Sequence, residues 1–455
     1  MKLAKFLFSF EGELDRRAYA LASLSAFFTQ HAFVLVCMWQ SGRYDDLRSI
    51  GFLFNPMRYL TRATIETTFL GLLLMLIVAW ILVALSFRRA RKDRADLVLV
   101  VPIVMPALQL PMIALLSLLM PTGTKVRHAE PAPRHTGAIT IPAMQGALAG
   151  MTISLTACAF GTLVMQSYGY TLFFATPLVV GVTAAYVANR RADIGLAKTN
   201  KVVLAALGLG AAAIMGVAIE GAICLIMASP LIVGIGYVGG VIGYVAAKSR
   251  SGGRTTLSGI AALPLLFMLE AAFPPRGDFV SLESIDVAAG PDEVWRSITH
   301  MGSIDVPPSA PFGWGLAYPV SGEIDGEGVG AVRRGVFSTG VAYERVTEWE
   351  PGRKLWFDVL SDPPALKELS PYDQVQAPHL AGYFTTAYAR FSITPLGDGR
   401  TRLSLETLHT LDLDPALYWT PIAQWAVHEN KKRVLAHFAS QAEDWAASGG
   451  RRPVK

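Results

Sequence analysis

The 455 residues hold three cysteines and a charged fraction of only 16%, and each shortage excludes something. Cys37, Cys158 and Cys224 all fall within apolar runs, and their spacing fits neither a metal site nor a disulfide framework. They read as packing residues. The carboxy-terminal part has no G-x-S-x-G, no P-loop, no glycine fingerprint and no H-E-x-x-H, so nothing calls for a cofactor or a metal, and catalysis is a minority reading. With so little charge, 52% hydrophobic residues and a mean hydropathy of +0.39, the chain is too apolar for an ordinary soluble protein. Part of it lies in lipid.

The charge that is present is unevenly spread. Residues 1–274 carry 23 Lys+Arg against 12 Asp+Glu, and residues 275–455 carry 17 against 23. A pI near 9.0 would suit nucleic acid. Here, however, the positive excess sits in short loops between apolar runs, where it orients helices, and nucleic acid is not an expected partner. The first 17 residues begin like a signal peptide, but Glu11, Glu13 and Asp15 interrupt the apolar core that cleavage needs, so the segment is expected to stay.

Runs long enough to cross a bilayer, at about 20 residues each, occur near 18–40, 67–87, 97–120, 143–165, 170–188, 202–227, 229–247 and 257–273. The run at 97–120 contains Pro102, Pro106 and Pro111, so it reads either as a kinked span or as a re-entrant pair of half-helices. This choice sets the sidedness. With eight crossings the inner side holds 9 Lys/Arg and the outer side 14; with a re-entrant run the numbers become 19 inside and 4 outside. The second arrangement obeys the positive-inside rule and places the tail on the outer face. Gly236 with Gly240, and Gly239 with Gly243, have the four-residue spacing that lets helices approach closely. Glu220, read as lying in mid-span, is the membrane residue expected to face a partner or a polar cavity.

At about residue 275 the long apolar runs cease. Residues 279–289 alternate like a strand, and 290–301 open with Pro291, Asp292 and Glu293 as a helix start does. Short alternating segments follow at 317–324, 330–338, 341–349, 354–360, 383–395 and 401–410, separated by turn signals; they read as an antiparallel meander. The closing stretch 421–446 is helical, with Trp425, His428, Leu435, Phe438, Ala442 and Trp445 on one face.

These elements, with "VAAGPDEVWRSI" and "GVGAVRRGVFSTG…ERVTEWEPGRKLWFDV", resemble the START-like helix-grip fold, the SRPBCC superfamily of polyketide cyclases and lipid-transfer domains, over about 278–447. The amino-terminal "FSFEGELDRRAYAL" resembles the opening of a bacterial inner-membrane family of unknown function: Gly12, Arg16 and Tyr19 fit its pattern and Glu13 departs from it. Its basic loop is echoed at Arg88 and Arg89, and again at Arg190, Arg191 and Asp193, as in a diverged duplication of 1–135 and 140–274. The expected architecture is multi-domain. An all-α polytopic bundle of seven or eight segments, 1–274, precedes an α+β helix-grip domain with a curved antiparallel sheet and a long terminal helix, 275–455.

The helix-grip resemblance implies an apolar cavity between sheet and helix that takes a lipid or other hydrophobic small molecule. Candidate ligand-binding residues are Tyr343 and His409 on the strands, Trp425 and His428 on the last helix, and Trp314, Tyr372, His379 and Tyr383 at the cavity mouth, the last three within or beside a proline-rich loop. The expected partners are the lipid bilayer and that hydrophobic guest. Two other readings compete with binding: a cyclase- or hydrolase-like reaction using His379 or His428, and transport or sensing through Glu220.

Overall fold

The structure, a computed structural model, describes residues 2–40, 52, 56, 65–92, 103, 106–118, 141–190, 193–248, 263–271, 277–372, 380 and 382–448. It divides into two compact units. One comprises Met1–Pro275 with Ser370–Pro378 and Asp414–Leu417, and the other Arg276–Leu369 with His379–Leu413 and Tyr418–Lys455.

Among the described residues of the first unit, six helices are long and apolar enough to cross a membrane: Arg16–Gln40, Leu73–Ala90, Ile141–Val164, Thr171–Asn189, Leu196–Gly216 and Ala222–Ala247. The run at 97–120 contributes a described helix of 13 residues, Pro106–Leu118, with Pro111 inside it. At 1.5 Å per residue it measures about 20 Å, too short to span. Only residues 263–271 of the last run are described, as a short helix.

The runs 202–227 and 229–247 are divided differently from the expectation. The chain breaks at 217–221, where Ala218 has φ +58°, and Glu220 lies in this break, not in mid-span. The cause is the cost of a carboxylate on a lipid-facing helix. In the break Glu220 is 6% exposed and its Oε1 accepts a hydrogen bond from the Tyr168 hydroxyl at 2.7 Å.

The glycine pairs serve two different neighbours. A Cβ on Gly239 would stand 2.2 Å from Leu178 O, and one on Gly243 2.2 Å from Val182 O, so this pair seats Ala222–Ala247 on Thr171–Asn189. A Cβ on Gly236 would meet Leu207 at 2.6 Å and one on Gly240 would meet Val203 at 3.0 Å, both on Leu196–Gly216. Without side chains the backbones come within reach of dispersion forces, which drive helix association where the solvent is itself apolar. The first basic loop is structural: Arg88 Nη1 donates to Phe6 O at 2.7 Å and Arg89 Nε to Leu116 O at 3.2 Å.

The second unit is an eight-stranded antiparallel sheet in the order β1-β8-β7-β6-β5-β4-β3-β2. The strands are β1 (Gly277–Val287), β2 (Gly302–Ser303), β3 (Pro319–Asp325), β4 (Val332–Phe337), β5 (Gly340–Glu350), β6 (Lys354–Ser361), β7 (Phe384–Gly397) and β8 (Arg400–Leu411). Seven agree with the alternation in the sequence; β2, two residues long, has no pattern to read. Helix Pro291–Thr299 follows β1, and the terminal helix is Ala416–Ala447. Register shifts in β3, β5 and β7 mark bulges, which bend a strand and sharpen its twist, so the sheet curls. The first and last strands pair along 11 positions, bringing β8 and the helix after it back to the start of the unit. This is a helix-grip fold of the START-like kind.

Leu435, Phe438, Ala439 and Ala442 of the terminal helix pack with Val287, Leu355, Phe357, Phe391, Leu403 and Leu405 of the sheet and with Val294 and Ile298 of the short helix. Phe391 and Phe438 meet edge to face at 5.6 Å. Each such side chain contributes about 1.5–3 kcal/mol on burial. One end of the grip is therefore a filled apolar core.

Candidate functional site

Beyond Leu405 the inner face of the sheet changes character. Alternation along β8 sends Leu403, Leu405, Thr407 and His409 to the same side. Thr407 lies opposite Ser281 of β1, and His409 opposite Phe279 of β1 and Thr386 of β7. His409 Nε2 bonds the Thr407 hydroxyl at 2.7 Å and Nδ1 the Thr386 hydroxyl at 3.2 Å. Phe384 stacks on the ring at 5.1 Å and Phe279 lies at 5.2 Å. Burial pulls the imidazole down to about 3, and the charge of Lys431 adds to the effect. His409 is therefore neutral at physiological pH, one nitrogen donating and the other accepting.

Facing this polar end is a stripe of the terminal helix at three- and four-residue spacing, comprising Gln424, Val427, Lys431, Leu435, Phe438, Ala442 and Trp445. The sequence reading placed Trp425 and His428 on the stripe and passed over Lys431, because a lysine counts as polar in any hydrophobic period. Lys431 is 4% exposed. Its Nζ donates to Ser281 O at 2.5 Å and Leu405 O at 3.1 Å. Burial lowers the amine to about 7, with Glu283 and Glu406 pulling weakly the other way. One turn earlier, His428 Nδ1 meets Glu283 Oε1 at 2.5 Å, half-buried.

A further buried pair lines the inner face. Arg333 of β4 donates through Nη1 to Glu344 of β5, and its guanidinium lies 4.9 Å over the Phe357 ring. Burial pushes the Glu344 carboxyl up, while the Arg333 charge opposes it. Asp362 accepts the Thr386 N–H at 2.9 Å and is also raised by burial. Glu283, Arg333, Glu344 and Lys431 were not among the expected binding residues. Alternation along β1 and β5 is the signal that puts Glu283 and Glu344 inside.

The other expected residues are dispersed. Tyr343 is 48% exposed on the outer face of β5, because the inner positions of that strand are Ala342, Glu344 and Val346. Trp314 closes a 3-10 turn, Phe312–Trp314, and is 64% exposed. Trp425 stacks on Phe312 at 5.6 Å, away from the sheet. Tyr372, in a segment that groups with the helical unit, donates its hydroxyl to Gly216 O at 2.5 Å. Tyr383 precedes β7, and its carbonyl accepts the Asp412 N–H at 2.8 Å. His379 lies outside the described residues.

A groove of about 330 Å³ runs along a different side of the terminal helix, against the connection from β2 to β3, with Val306, Phe312, Tyr318, Asn430, Arg433 and His437 in its wall. Its polar groups clamp that connection and the residue before β2: Arg433 Nη2 donates to Val306 O at 2.6 Å, Asn430 Nδ2 to Ala317 O at 2.9 Å, and His437 Nε2 meets Met301 O at 2.7 Å.

No family model matches the sequence, and no curated protein matches it. Among solved structures, the Zhui aromatase/cyclase from Streptomyces sp. R1128 is similar over 38% of this chain and 99% of its own, at 19% identity and a TM-score of 0.25. A START superfamily protein from Mycobacterium smegmatis is similar over 37% and 97%, at 16% and 0.24. Norcoclaurine synthase from Thalictrum flavum, in complex with dopamine and hydroxybenzaldehyde, is similar over 39% and 91%, at 12% and 0.26. At such values these likenesses carry no argument of their own. The fold assignment rests on strand order, register and the terminal helix.

Proposed function

We propose that this chain holds a lipid or other hydrophobic small molecule in the grip between sheet and terminal helix, and that its helical unit keeps the grip at a bacterial inner membrane. One observation carries the reading. A sheet and helix that needed only to cohere would extend their apolar core, yet past Leu405 the core gives way to buried, facing polar side chains, Thr407, His409 and Lys431, with the half-buried Thr386 beside them. Apolar walls with a few convergent polar groups are what a small-molecule site requires.

The test uses delipidated full-length protein in detergent, incubated with a membrane lipid extract and weighed intact by native mass spectrometry. One guest per chain is expected, and it should be lost in Thr407→Phe, whose added ring occupies the polar end at a cost of about 1–3 kcal/mol in stability. Repeated recovery of empty protein, or equal retention by Thr407→Phe, would refute the reading.

A reaction on the guest is a second reading, and His428 is what favours it. An imidazole held at 2.5 Å by the Glu283 carboxylate has the oriented geometry of a general base. In that case the wild-type protein returns a chemically altered guest and His428→Ala the unaltered one.

A further inference from the structure

A lysine in the middle of a buried stripe costs stability unless its ammonium is paired. Lys431 spends two of its three N–H groups on neutral acceptors, the Ser281 and Leu405 carbonyls. The carboxylates that act on it are engaged elsewhere. Glu283 takes His428, and Glu406, at an outward position of β8, takes the Tyr388 hydroxyl at 3.1 Å and Arg390 at 3.5 Å. Among the described residues no carboxylate stands within the 4.0 Å reach of an ion pair with Lys431.

Beside it on β8 lies a second donor. With the proton on Nε2, neutral His409 donates to Thr407 Oγ1, which leaves the threonine's own proton for another acceptor. One cation and one hydroxyl suit one negative charge. A phosphate would call for a cluster of arginines, and Arg333, the buried arginine of this face, is already spent on Glu344.

We propose that Lys431 Nζ and the Thr407 hydroxyl receive an ionised carboxylate, so that the guest of the grip is an acid-headed amphiphile of the fatty-acid class. This rests on the reading that the grip binds a hydrophobic molecule, and it names the class of that molecule. Octanoate and octanol share a tail and differ in the head, so the pair separates the two claims. Radiolabelled samples of each are bound to the full-length protein on beads in detergent, with detergent-only beads as the blank.

Octanoate should bind about tenfold or more tightly than octanol to the wild type, and Lys431→Met should abolish the difference while leaving octanol unchanged. Octanoate affinity should also fall above pH 7, by up to about tenfold per unit, because the free amine must first take up a proton; octanol should show no such trend. Glu283, Glu406, His428 and His409 are the other titratable groups around the amine, and Lys431→Met retains all four, so a pH trend that persists in the variant belongs to them and contradicts the proposal. Equal binding of octanoate and octanol by the wild type refutes the carboxylate anchor and leaves the hydrophobic guest standing. Binding of neither refutes the underlying reading as well. Should Lys431→Met fail to fold, the wild-type preference and its pH profile still decide.

Discussion

Burial depresses the ionisation of two inward-facing side chains, and the sign of each effect is fixed. His409 titrates at about 3 in the folded protein against 6.5 in a free chain, so the unfolded state takes up the extra proton as pH falls from 6.5 to 3, and stability declines across that window. Lys431 titrates at about 7 against 10.5, so the unfolded state holds the extra proton between those values, and stability rises as pH climbs from 7 toward 10.5. The apparent melting temperature of the empty protein should therefore increase from pH 7 to pH 9, and Lys431→Met should lose that slope. At pH 7 the variant should melt no lower than the wild type, because an apolar side chain of similar length replaces a buried amine. A flat wild-type profile would contradict the assignment. His409 could be read from the sequence because alternation in "TRLSLETLHT" needs only a period of two. Lys431 could not, since a charge in the stripe is indistinguishable from a break in the stripe until the helix is seen against the sheet.

Between the elements, close approach and charge pairing set the terms. Gly243→Leu in helix Ala222–Ala247 should sharply reduce the yield of folded protein, since even its Cβ would stand 2.2 Å from Val182 O. Gly234→Ala in the same helix meets nothing within 4 Å and should be neutral or slightly stabilising, as thermal melting in detergent will show. In the sheet, Glu344→Leu leaves Arg333 buried without its partner and should cost about 3–5 kcal/mol, whereas adding Arg333→Met should recover most of the loss in a double-mutant cycle. Strand β2 is too short to carry a pattern, but the other seven were legible because each is an alternating segment set off by turn signals. The helix boundaries at 216 and 222 were not: hydropathy alone runs through 202–227, and the break depends on Tyr168, 52 residues earlier, meeting Glu220. Alternation alone does not say which face of β5 points inward, and Tyr343 proved to lie on the outer one; the bulge between Val346 and Glu348 then shifts the face along the strand.

For the molecule as a whole, the positive-inside reading of the lysine and arginine distribution predicts an outer-face carboxy-terminal tail. A single cysteine placed within 449–455, in a chain whose three native cysteines are changed to alanine, should react with an impermeant maleimide in intact cells; labelling only after lysis would reverse the sidedness. The helical part has the length and apolarity to cross a membrane, and the grip has the polar end that a guest would need. The most direct measurement is an experimental density map of full-length protein purified without delipidation. The expected result is continuous non-protein density on the inner face of the sheet, touching Lys431 Nζ and passing Thr407. Side chains packed solidly between β8 and the terminal helix, with no space at that end, would contradict the binding function.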